Sequence, residues 1–495
     1  MATEGGVVFL SIDSERDPRN YLGSENGQKI TSSRDHEVEI GDREQPQQKA
    51  QNWLAAMYSS IPNSIGLSGV KYVCRPRENR TRRYGWLVIL SCVVVAMTLH
   101  VGFRIWYFYS RPSTVDIAIT YSDELVFPKI IICNHNSFLR SRTEKLPTVD
   151  ILVRNYAYSE APFINATRPL TEEERQELRG INTTELFLDL AHQANDTFLV
   201  ITWAGSELSV ANVTPILTSV GVCYQLNADP DPTKVLKTKV AGKTNGMRLI
   251  LDTQQSEYYY GSVSNFAAGF ALYLLPQNET KSNAAVVGVD VNPGTLNSIG
   301  ITTTRSNYLR PPYGVCSEHQ LKYFDTYSRM KCRLECLTDL VLKRCRCKPP
   351  FMPGRFPVCD PLTYKECGYP AIKMAQHRLN ECDCPVNCET LLYSYSLSSS
   401  KFPSLFWADI LAGRIKRNGQ GLMDRAYLEE NVCAIDIYFT SMELTTIKQQ
   451  AAYTPLALLS DIGGAMGLWL GGSLLTIYEV FDLLADSCLL YRRLG

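Results

Sequence analysis

One stretch near the C-terminal end constrains this chain most: Thr454 to Leu484, TPLALLSDIGGAMGLWLGGSLLTIYEVFDLL. It is apolar and long enough to cross a bilayer, which takes about 20 residues of helix. Yet it carries Asp461 near its start, Glu479 and Asp482 near its end, and Gly463, Gly467 and Gly471 at four-residue spacing. Acidic side chains in or beside a span are costly and tend to face a polar cavity or a partner. Glycines four apart let helix backbones approach closely. A plain anchor helix with polar ends is one reading. A pore-lining helix that packs against copies of itself is the other.

The rest of the chain bears on that choice. A second apolar stretch, Tyr84 to Tyr109, is broken only by His100 and Arg104, the latter placed to snorkel to the far boundary, where Trp106, Tyr107 and Tyr109 form an aromatic belt. Arg75, Arg77, Arg80, Arg82 and Arg83 precede this stretch, and Arg492 and Arg493 follow the other. The positive-inside rule then places both termini in the cytoplasm. Thirteen of the sixteen cysteines fall between Cys133 and Cys433, a density that suits an oxidising compartment. The sequons at Asn165, Asn182, Asn195, Asn212 and Asn278 lie in the same segment. Asn79 also matches a sequon, but on the cytoplasmic side. The N-terminus lacks the basic and apolar regions of a signal peptide. The predicted organisation is a cytoplasmic tail (1–83), a first span (84–109), an extracellular domain (110–452), a second, pore-lining segment (453–484) and a short cytoplasmic tail (485–495).

Within the extracellular segment, LVFPKIIIC, DTFLVITWA, MRLILDT, FAAGFALYLL and CAIDIYFT have the pattern of strands, punctuated by Gly, Pro and Asn. LTEEERQELRGI, with Thr171 as a cap, and YSRMKCRLECLTDLVLKR have the pattern of helices. The fold class expected is an α+β membrane protein with two transmembrane helices and a large disulfide-rich mixed α/β ectodomain. Cys332 and Cys336 share a helix face, and Cys382 and Cys384 share a strand face. Two nested bridges, closed outside by Cys316 and Cys388, suit that geometry, and Cys345, Cys347, Cys359 and Cys367 suit a second staple. Spacing alone leaves the connectivity open. Zinc at CDCPVNC is the weaker reading, because few histidines lie nearby. Lysine plus arginine equals aspartate plus glutamate at 50 each, so net charge indicates no nucleic-acid partner. No Ser/His/Asp constellation, phosphate loop or zinc helix marks an enzyme, and no cofactor is expected.

These residues resemble the epithelial sodium channel/degenerin superfamily of trimeric, two-span cation channels, nearer to its acid-sensing and peptide-gated members. The resemblance runs from about residue 59 to the end. It is carried by FPKIIICNHNSF, GVCYQLN, LDTQQSEY, PPYGVC, the cysteine block with YKEC, and LLSDIGGAMGLWLGGSLLTIYEVFD. The resemblance implies a hand-like ectodomain and a homo- or heterotrimer that conducts sodium ions. It also implies six bridges: Cys133–Cys223, Cys316–Cys388, Cys332–Cys384, Cys336–Cys382, Cys345–Cys367 and Cys347–Cys359. Cys433 is left as a free thiol, packed as a small hydrophobe. Gly471, Gly472 and Ser473 match the selectivity segment, where carbonyl oxygens replace an ion's hydration water. Gly467 matches the amiloride position and Ser460 the gate position where bulky side chains hold the pore open. Three copies of Asp461, Glu479 and Asp482 would form acidic rings at the outer and inner mouths. Gly69 stands 17 residues before Trp86, as the family's cytoplasmic gating glycine does, but Ser68 replaces its histidine. Tyr313 stands where the family has a tryptophan that couples the ectodomain to a tyrosine after the first span, for which Tyr109 is the candidate.

Acid-sensing relatives hold paired carboxylates between a thumb helix and a neighbouring loop, because close carboxylates raise each other's pKa. Here Tyr369 and Lys373 occupy two of those places, and Ser262 to Gly269 is not acidic. His135, His192, His319 and His377 read as surface residues. An extracellular ligand such as a neuropeptide, or a constitutive leak, is therefore expected ahead of protons acting at another site. A non-conducting two-span receptor or heteromer subunit is the alternative from a different class.

Overall fold

The computed structural model describes residues 69–74, 79–157, 168–259, 267–280, 288–412, 416–417 and 421–494. The chain divides into two units, residues 95–467 on the one hand and residues 1–94 with 468–495 on the other. The tail up to Ser68, the sequon Asn165 and the segment Ser262–Phe266 lie outside the described residues.

The unit 95–467 is built on two sheets. The strands of these two sheets, in chain order, are β1 (Ser113–Tyr121), β2 (Lys129–Asn134), β3 (Phe198–Trp203), β4 (Ser206–Glu207), β5 (Thr214–Thr218), β6 (Gly221–Leu226), β7 (Met247–Asp252), β8 (Phe270–Leu275), β9 (Val289–Val291), β10 (Thr295–Asn307), β11 (Glu389–Lys401) and β12 (Val432–Ala451). The larger sheet runs β11-β10-β12-β7-β3-β4, with β1 also paired to β12. The smaller runs β9-β8-β2-β6-β5. The long β12 is shared along its length. Its first half pairs with β7 (Val432↔Asp252 to Ile437↔Met247) and its second half with β1 (Tyr121↔Glu443 to Ser113↔Ala451). The strand therefore runs without interruption from the core to Ala451, a few residues before Pro455.

Each core strand follows its apolar pattern. Phe127, Ile130 and Ile132, Leu249 and Leu251, Ile299 and Ile301, and Ile435, Ile437 and Phe439 are buried in one cluster. Side chains of this size stabilise by about 1.5–3 kcal/mol each when fully buried, so this cluster outweighs any surface ion pair in the unit. β1 buries nothing against its own chain: Val115, Ile117, Ile119 and Tyr121 are exposed.

The longer helices are, in chain order, α1 (Arg80–Tyr109), α2 (Pro147–Ala157), α3 (Glu172–Arg179), α4 (Thr183–Leu190), α5 (Arg329–Cys345), α6 (Tyr369–His377), α7 (Pro455–Leu470) and α8 (Leu474–Leu494). α3 opens with the capping box that Thr171 and Glu174 predict. Ser328 caps α5 by accepting from the Lys331 N–H. One face of α5 carries Cys332 and Cys336 to Cys384 and Cys382, while Cys345 joins Cys367 and Cys347 joins Cys359. With Cys133–Cys223 and Cys316–Cys388 these are the six pairs the resemblance implies. Bridges that close loops of 12 to 90 residues each stabilise by about 2–4 kcal/mol, mainly by restricting the unfolded chain. Cys433 is free and fully buried, and burial pushes its pKa up, which leaves it an inert thiol.

α1 spans 30 residues, its most apolar 18-residue stretch has mean hydropathy 2.2, and it is long and apolar enough to cross a membrane. α7 and α8 meet the same test only when taken together as a bent pair. α1 begins at Arg80, so Arg80, Arg82 and Arg83 belong to the helix rather than to a tail. The stretch 485–494, expected as a short tail, continues α8.

Candidate functional site

In the unit 1–94 with 468–495, the glycine-rich run ends one helix and starts another. α7 stops at Leu470 and α8 starts at Leu474. Gly471 takes φ +64°, a conformation that L side chains reach only at a cost of roughly 1–2 kcal/mol. Gly471 and Ser473 are exposed and Gly472 is buried. Ser473 is locked by the first turn of α8: its N–H donates to Thr476 Oγ1 at 3.0 Å, and its carbonyl accepts from the Thr476 N–H at 3.0 Å. Thr476 was missed in the sequence. The spacing Ser-x-x-Thr at a helix start was the available signal. A short non-helical segment, Gly471–Ser473, thus sits between two helices, with Ser473 tied to the first turn of α8. Glu479 and Asp482 lie one turn apart on α8.

In the same unit, Gly69 takes φ +90°, and a Cβ there would stand 3.2 Å from the Trp86 ring. Tyr72 stacks on that ring at 4.9 Å, and the Arg82 guanidinium lies 4.9 Å over Tyr72. The 17-residue spacing thus becomes a contact at which any side chain larger than glycine's is strained. Ser68, its neighbour, lies outside the described residues.

In the unit 95–467, the start of α7 meets the end of α1. Thr454 caps α7, its Oγ1 accepting from the Ala457 N–H at 3.2 Å, and Pro455 follows. The Tyr453 hydroxyl donates to Asp461 Oδ2 at 2.5 Å. Arg104 Nε stands 3.4 Å from the same oxygen and 3.4 Å from His100 Nε2. The Tyr107 ring packs edge-on against Tyr453 at 5.3 Å. Arg104 therefore pairs with Asp461, and the carboxylate placed in an outer acidic ring already has a cation and a hydroxyl on it within one chain. Ser460, beside it, is exposed. Gly463 presents open space, with none of the described atoms within 4 Å of where a Cβ would be. Gly467 is exposed.

The expected coupling pair is not brought together. Tyr109 is exposed and packs on Phe108, and no ring contact among the described residues joins it to the half-buried Tyr313. Tyr107 and Tyr453 make the aromatic contact instead. Residues two apart on a helix point roughly 200° away from one another, so Tyr107 and Tyr109 cannot face the same neighbour.

The acid-sensing positions carry other chemistry. The Lys373 ammonium lies 4.8 Å over the Tyr369 ring. Carboxylates nearby are matched by arginines: Arg175 holds Glu366 at 2.8 Å, and Arg168 holds Glu174. Arg168 depresses the Glu174 pKa to about 2, with help from the Thr171 backbone, so this carboxylate stays charged through the mildly acidic range. Of the histidines, His192 is not a surface residue. It is buried between Gln254 (2.6 Å) and Asn136 (2.9 Å), and burial lowers its pKa to about 4. His135 is half-buried, 3.6 Å from Asp290, and burial lowers its pKa too. Asn182, Asn195, Asn212 and Asn278 are exposed. Among the described residues no group of His, Cys, Asp and Glu can hold a metal ion.

Residues 63–483 match a family model described as amiloride-sensitive sodium channel. Among curated relatives, acid-sensing ion channel 1B of Danio rerio is 32% identical over 85% of this chain and 75% of its own length. Acid-sensing ion channel 2 of Rattus norvegicus is 30% identical over 85% of this chain and 84% of its own. A solved proton-activated chloride channel aligns over 82% of this chain and 95% of its own at 6% identity and a TM-score of 0.30, a likeness too slight to carry an argument.

Proposed function

The chain belongs to the amiloride-sensitive sodium channel family, and from that premise we propose that three copies surround the α7–α8 segment as a sodium-selective, amiloride-blocked cation channel of the plasma membrane. Both termini are cytoplasmic in this reading, and residues 110–452 face outward. The observation that carries the proposal is the helix break at Gly471–Ser473, with Gly471 at φ +64°. In this reading the Gly471 and Gly472 carbonyls, outside both helices, turn toward a narrow axis and replace ion hydration. The open face at Gly463 leaves room for a neighbouring copy.

Expression in oocytes tests this reading. The expected current reverses near the sodium potential, falls with amiloride, loses block on Gly467 substitution and loses selectivity on Ser473→Leu. An anion-selective current, or unchanged selectivity in Ser473→Leu, overturns it. Replacing Ser460 by Cys and derivatising it is expected to raise standing current. A surface-expressed chain that stays silent in that form is a non-conducting receptor or a subunit that needs a partner.

For the stimulus, we favour an extracellular ligand such as a peptide, or a constitutive leak, over protons at the carboxylate site. Tyr369 and Lys373 hold a cation–π pair there, and the carboxylates beside it are neutralised by arginines. Proton gating at a different site is the second reading, supported by relatives that are named acid-sensing channels. A steep current evoked between pH 7 and pH 5 selects it.

A further inference from the structure

A half-enclosed cavity of about 140 Å³ lies among α2, α4, the β5–β6 turn and the segment after Pro361. Its walls include Leu152, Val220 and three aromatic rings that continue one into the next. Phe138 meets Phe187 edge-on at 5.3 Å, and Phe187 meets Tyr364 edge-on at 5.9 Å. A single charged side chain, Lys365, joins the lining. It is half-buried and makes neither hydrogen bond nor ion pair among the described residues. The neighbouring carboxylate, Glu366, is turned to Arg175 at 2.8 Å.

We propose that this cavity binds one aromatic ring carrying a carboxylate on a short chain, an arylalkanoate. The ring lies among Phe138, Phe187 and Tyr364, and the carboxylate pairs with the Lys365 ammonium. Size sets the first half of this choice. A cavity near 150 Å³ lined by apolar side chains accommodates benzene, and the edge-on geometry of the wall suits a further ring. Charge sets the second half. A half-buried ammonium with no direct hydrogen-bond or ion-pair partner is costly, and an incoming carboxylate offsets that cost with a charge-assisted hydrogen bond. Burial depresses the Lys365 pKa, the direction a bound anion reverses. The proposal does not require the chain to conduct.

The full chain in lipid nanodiscs, titrated with 3-(4-fluorophenyl)propionate and followed by fluorine NMR, tests the site. Saturable binding is expected. Lys365→Met is expected to weaken it about tenfold, a change equal to about 1.4 kcal/mol, while Lys365→Arg keeps it within about twofold. The neutral 3-(4-fluorophenyl)propan-1-ol is expected to bind wild type and Lys365→Met alike. Leu152→Trp, which fills the cavity, is expected to abolish binding of both probes. Absence of saturable binding to wild type overturns the proposal. So does equal affinity of the acid for wild type and Lys365→Met, a result that does not depend on Leu152→Trp folding.

Discussion

Two contacts on Asp461 are separable by substitution, and the structure ranks them. At 3.4 Å, the Arg104–Asp461 pair is worth about 1 kcal/mol at the dielectric of water and about 5 at an effective value of 20. Both side chains are more than a third exposed (38% and 35%), which puts the pair near the lower figure. The Tyr453 hydroxyl is different: its residue is only 7% exposed, and it donates to a charged oxygen at 2.5 Å. Such a bond contributes about 1.5–3 kcal/mol. Tyr453→Phe is therefore expected to shift the closed–open equilibrium more than Arg104→Gln, about tenfold or more against about fivefold. The assay is standing amiloride-sensitive current divided by surface protein, with derivatised Ser460→Cys as the fully open reference. Double-mutant cycles with Asp461→Asn isolate each pair. A coupling below about 0.3 kcal/mol for Tyr453–Asp461, or a larger coupling for Arg104 than for Tyr453, refutes the ranking.

Three further outcomes are expected. Gly69→Ala meets both a φ of +90° and the Trp86 ring at 3.2 Å; a cost of about 1–2 kcal/mol is expected to change standing current several-fold, whereas Ser68→Ala has little effect, as currents per surface protein will report. Gly471→Ala, at φ +64°, is expected to leave surface expression intact but to alter the sodium-to-potassium permeability ratio, read from reversal potentials. His192 is held neutral among Asn136, Gln254, Glu257, Asp196 and Arg142, with a folded pKa of about 4 against about 6.5 when unfolded. Between those values the unfolded chain binds more protons, so stability falls as pH drops from about 6.5 to about 4. The slope of melting temperature against pH in that window should flatten in His192→Gln, and an unchanged slope places the acid sensitivity elsewhere.

Much of this architecture was legible in the chain itself because its signals are local or periodic. The apolar run at 84–109, the strand patterns from Phe127 to Cys133 and from Cys433 to Thr440, the Thr171 cap and the Cys332/Cys336 face each depend on residues a few positions apart. Those patterns became α1, β2, β12, the capping box and the α5 bridges. The selectivity role of Gly471–Ser473 came from the family resemblance instead, and glycine permits the backbone found at the break there. What folding alone decided are contacts between residues far apart in sequence whose chemistry has several partners to choose from. Nothing local tells Arg104 to pair with Asp461 rather than reach for water, or selects Tyr107 over Tyr109 against Tyr453. Helix rotation and the register of β1 on β12 set those choices, since they bring the end of α1 beside the start of α7. Lys365 is the same case. Its sequence shows a surface lysine beside a glutamate, and only packing turns Glu366 to Arg175 and leaves the lysine in the wall of an aromatic cavity.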